Sequence, residues 1–175
     1  MDITALSVQI TNFLAGSLTN VWALAANFLV LLVLTVVMIG FSYKGGRGGI
    51  ISLLVAFYAG YGIYLTFPFT NALLSAGGTP LMKAIISVGL FLGSSIVPFI
   101  FIQRLVGGGF GVLSVVPRFV LSFLAATFLI ALAYHVFHVS NIYDFPEPMN
   151  TLFGPDKYFF WWFVAPLAGL FFLVH

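Results

Sequence analysis

Cysteine is absent from the 175 residues. Its absence excludes disulfide frameworks, thiolate metal sites and thiol nucleophiles together. Charge is nearly absent too: 6% of the residues are charged, against about 25% in a soluble globular domain. So few charges cannot cover a water-facing surface. Six basic and four acidic residues leave a formal charge of +2, too small and too dispersed for a nucleic-acid surface. No basic stretch precedes the first apolar run, so a cleavable leader is not expected.

What the chain has is apolar length, with 62% of its residues hydrophobic. A membrane span needs about 20 mainly apolar residues. Five segments come close: about 21–41, 50–67, 84–102, 119–139 and 158–174. None contains Asp, Glu, Lys or Arg. Backbone polar groups in lipid must be satisfied within the segment, and runs without period-two alternation favour helices over barrel strands. The fifth run is the shortest and has Pro166 at its middle, so four spans are expected and a fifth crosses or merely enters. Residues 1–20 differ: Ile3, Leu6, Ile10, Phe13, Leu14 and Leu18 recur at helical spacing opposite Ser and Thr. This pattern predicts an amphipathic interfacial helix ahead of a transmembrane domain at 21–175, or an extension of the first span.

Basic residues in short connections orient a bundle. Lys44, Arg47, Arg104 and Arg118 fall on one side, and Lys83 and Lys157 on the other. The four-to-two count predicts glycine-rich connections in the cytoplasm and the N-terminus outside.

Those connections read K-G-G-R-G-G-I-I-S-L-L at 44–54 and V-G-G-G-F-G-V-L-S-V-V at 106–116. A phosphate-binding loop needs G-x-x-x-x-G-K-[ST] between a strand and a helix. Neither segment has it. Gly45, Gly46, Gly107 and Gly108 instead read as turn residues, and the two segments align at an offset of 62, which predicts two helical hairpins in parallel orientation. Pro117 is expected to open the fourth span after a short interfacial helix at 110–116, the alternative being a longer fourth helix whose Arg118 snorkels. Small residues recur every four positions: Ser52, Ala56 and Gly60; Gly89 and Gly93; Ser122 and Ala126; Ala165 and Gly169. Such stripes let membrane helices approach closely, within one chain or between chains.

Chemistry-bearing side chains are few. His135 and His138 share a helix face, with Asp144 and Glu147 following within ten residues. Metal binding or proton sensing is one reading of that group; interfacial imidazoles bonded to backbone or water is the plainer one. Tyr158 to Phe163 reads as an aromatic belt. Proton-driven motors need a carboxylate within the membrane, and no span has one. No nucleophile–base–acid group stands out, so an enzyme is not expected, and no cofactor.

The order of these features resembles the CvpA family, the colicin V production proteins of bacterial inner membranes. The resemblance runs from about Asn27 to Phe163. It rests on F-S-Y-K-G-G-R-G-G-I-I-S-L-L, on G-F-G-V-L-S at 109–114, and on V-S-N-I-Y-D-F-P-E-P ahead of an aromatic segment. The chain departs from the family in having Gly48-Gly49-Ile50 after Arg47, where the family carries an acidic residue. The resemblance implies a multi-pass inner-membrane protein linked to export or envelope maintenance, with no catalytic residues to carry over. Passage of a solute is a further role within that reading, and two others remain open: an accessory subunit of a larger membrane complex, and an oligomeric channel. The expected partners are the lipid bilayer and other membrane subunits or further copies of the chain.

Overall fold

The computed structural model describes Trp22, residues 25–106 and 114–137, Val139 and residues 142–173. The amphipathic segment at 1–20, Gly107, Gly108 and His138 lie outside the described residues. The described chain is all-helical: α1 (Leu29–Thr66), α2 (Thr70–Ala76), α3 (Pro80–Val106), α4 (Val115–His135), α5 (Glu147–Phe153) and α6 (Asp156–Leu173). Three of these are long and apolar enough to cross a membrane: α1, α3 and α4.

The first two expected spans form one 38-residue helix, broken at Gly46, where φ is +63°. Only glycine takes that conformation without strain. The bend there is sharp. The Phe41 ring lies 3.8 Å from where a Cβ on Gly45 or on Gly49 would stand, although 41 and 49 would be about 12 Å apart along a straight helix. Helix α1 ends at Thr66, and its C-cap Phe67 is extended because the following Pro68 disfavours helical dihedrals there. Helix α3 opens on Pro80, whose missing N–H is not needed at a first helical position, and continues through Pro98. Pro117 sits in the first turn of α4, which starts at Val115 rather than near Phe119 as expected. Helix α6 opens on Asp156 and Lys157, which leaves only the stretch from Tyr158 to Leu173 for a crossing.

Helix directions follow from paired side chains. The end of α1 and the start of α3 line one groove, through Ile63, Phe67, Ile86 and Gly89, while Gly60 lies beside Ser95. The two helices are therefore antiparallel. Tyr58 meets Phe128 and Tyr64 meets Phe137, so the second part of α1 runs parallel to α4. Phe163 meets Phe128 and Phe159 meets His135, so α6 returns antiparallel to α4. Helix α4 is central: 56% of its apolar window is buried, against 17% for α3.

Aromatic rings tie the four long helices together. Phe57 packs on Phe91 at 5.8 Å and on Phe128 at 6.4 Å, and Phe91 packs on Phe137 at 5.3 Å. Each such pair contributes about 0.5–1.5 kcal/mol beyond the area it buries.

Candidate functional site

Gly60 marks a close helix crossing. A Cβ there would stand 2.8 Å from the Ser95 Cα, so backbone meets backbone. Ser94 donates its hydroxyl to the Gly60 carbonyl at 2.9 Å, and Ser95 donates to the Phe91 carbonyl at 2.8 Å. The serines within α3 thus stitch α3 to α1 and to itself. Ser52 and Ala56, the other members of the α1 stripe, are fully buried.

The remaining stripes divide. Ser122 and Ala126 are fully buried on α4. Gly169 of α6 faces Leu124 and Leu121 of α4, while Ala165 lines a groove with Leu152, Trp161 and Trp162. Gly89 and Gly93 behave otherwise: a Cβ at either would meet nothing within 4 Å. They line an apolar groove of about 460 Å³, with Ile63, Phe67 and Leu73 forming its far wall.

Ser42, Ser52 and Ser122 are fully buried, and their hydroxyls find no hydrogen-bond partner among the described residues. Thr35 and Ser87 instead return their hydroxyls to their own helix backbone, at the Leu31 and Lys83 carbonyls.

At the glycine end, Lys44 and Arg104 are exposed. Arg118 is not: it is 8% exposed, and its guanidinium carbon lies 4.2 Å from the centre of the Tyr43 ring. The Tyr43 ring is largely exposed, so the cation over its face is worth about 0.5–1 kcal/mol. The contact ties the α1 break to the first turn of α4.

The opposite end carries the histidine. His135 Nε2 lies 2.8 Å from the Phe153 carbonyl, and Nδ1 lies 3.3 Å from an Asp156 carboxylate oxygen. Its ring packs on Phe159 at 4.7 Å. Next to it, Tyr134 donates to Asn150 Oδ1 at 2.7 Å, and Asn150 Nδ2 donates to the Phe145 carbonyl at 2.8 Å. These bonds fasten α5 across the end of α4. Asp144 and Glu147 are exposed, and no group of three His, Asp or Glu side chains gathers in metal-binding fashion among the described residues.

Of the expected aromatic belt, Phe160 and Trp161 face outward, 61% and 66% exposed. Trp162 turns inward, donating to the Leu152 carbonyl at 3.0 Å, and Phe163 packs on Tyr58 at 5.0 Å. Comparisons with protein-family models, with curated proteins and with solved structures find no match in any of the three.

Proposed function

We propose that this chain is a non-enzymatic, multi-pass inner-membrane protein that serves export or envelope maintenance, the role its resemblance to the CvpA family implies. It works as an assembling component rather than as a conduit. The observation that carries this reading is the contrast within α3. Its serines are used in the crossing with α1, while its G-x-x-x-G face stays open. Side chains suited to lining an aqueous path hold helices together instead. The surface suited to close helix approach awaits another helix.

The break at Gly46 supports a first helical hairpin. A straight helix of 38 residues would extend about 57 Å, nearly twice the roughly 30 Å hydrocarbon core. With that hairpin, α3, α4 and α6 complete four or five crossings, and the parallel course of 50–66 and α4 fits a repeat of two hairpins. The basic residues beside the glycine connections favour the cytoplasm for that end and the outside for the N-terminus.

A second reading, an accessory subunit of a larger complex, is favoured by the same open groove. Gentle extraction from native membranes, with native mass measured and every co-purifying chain identified, separates the readings. The proposal expects an assembly well above the 19.0 kDa of one chain. Fixed stoichiometry with large unrelated subunits selects the accessory role. A ring of identical chains with ion conductance in vesicles would replace both by a channel. A lone chain would refute assembly.

A further inference from the structure

Gly154 and Pro155 form the elbow between α5 and α6, and one side chain holds both of its ends. Phe153, before the elbow, presents its carbonyl to His135 Nε2 at 2.8 Å. Asp156, after the elbow, presents a carboxylate oxygen to Nδ1 at 3.3 Å. Both neighbours are acceptors. A neutral imidazole has one N–H and one lone pair, so it satisfies one acceptor and turns its lone pair on the other. An imidazolium has two N–H groups and satisfies both.

We propose that His135 is a proton-operated clamp on the α5–α6 elbow. Protonated, it ties Phe153 and Asp156 together at the end of α4. Deprotonated, it keeps its N–H for Phe153 and releases Asp156. Burial decides which contact yields. Phe153 is fully buried, whereas Asp156 is fully exposed and turns to water without loss. The clamp then frees the first turn of α6 while α5 stays docked through Tyr134 and Asn150.

Other ionisable groups on the surrounding elements are engaged differently or lie in solvent. Lys157 of α6 stands over the Tyr158 ring at 4.8 Å, and Tyr134 of α4 is bonded to Asn150. Asp144, Glu147 of α5 and Lys83 of α3 are exposed, and Tyr64 of α1 packs on Phe137. Among the described residues, the carboxylate that reaches the imidazole is that of Asp156.

The test is backbone amide exchange in the full chain in lipid nanodiscs, from pH 5.5 to 8.5, corrected for intrinsic exchange rates. The Tyr158 amide, bonded to the Pro155 carbonyl, reports the first turn of α6. Its protection is expected to fall about two- to fivefold from acid to alkaline pH, the range that an exposed ion pair supplies. Asp156→Asn, a change at an exposed site, and His135→Gln, which keeps one donor for Phe153, should both remove the pH dependence. Protection independent of pH in the wild type, or pH dependence retained in Asp156→Asn, would overturn the proposal.

Discussion

Two stripes of small residues, on α1 and on α3, are written in the same grammar and end in different places. Ser52, Ala56 and Gly60 are all buried, and Gly60 admits no side chain. Gly89 and Gly93 have open space where a Cβ would stand. The difference lies in which face of α3 meets α1: Ser94 and Ser95 take the crossing, and Gly89 and Gly93, the latter directly before Ser94, are turned towards the groove. Spacing marks where close approach is possible, and the packing of the whole bundle decides which of those places is used.

Substitutions sharpen that comparison. Gly60→Leu should have the largest effect, because the clash is with the Ser95 backbone; a loss of about 3 kcal/mol, the upper end for overpacking, is expected in reversible unfolding in bilayer-like micelles. Gly46→Ala comes next, at about 1–3 kcal/mol by the same measurement, since alanine must adopt φ +63° with ψ −162°, a region essentially reserved for glycine. Ser94→Ala should cost about 0.6 kcal/mol, a usual value for an interhelical hydrogen bond in a membrane protein. Ser122→Ala should cost nothing or stabilise slightly, because its hydroxyl is buried without a partner among the described residues. Gly89→Leu with Gly93→Leu should leave the stability of the single chain unchanged and still reduce the native mass. A large loss of stability in that double variant would erase the contrast between the stripes.

Much of the helical layout was legible because lipid makes hydropathy a strong signal. Residues 84–102 and 119–139 found helices within a few residues of the expected bounds, at Pro80–Val106 and Val115–His135. The break in α1 was legible too, since K-G-G-R-G-G interrupts the apolar run with the residue type that its dihedral angles require. The short helices α2 and α5 were not. Seven residues are too few to establish a period, and tertiary contacts such as Tyr134–Asn150 hold them. The aromatic segment misled in part, because lipid-facing and core-facing rings are equally apolar, and composition alone cannot assign Trp161 outward and Phe163 inward. The His135–Asp156 contact was beyond local reading. It spans 21 positions and depends on α6 folding back along α4, whereas the sequence drew attention to His138, Asp144 and Glu147 nearby.

The absence of cysteine makes the decisive experiment clean, since one introduced thiol is the only one in the chain. A photoreactive maleimide attached to Gly93→Cys would be activated in native membranes, beside the same probe on Ile100→Cys, an exposed apolar position on α3. The probe at 93 is expected to capture one defined neighbouring protein chain, while the probe at 100 gives mainly lipid adducts. Lipid adducts alone at both positions would contradict this, and the open groove of α3 would then be a surface for acyl chains.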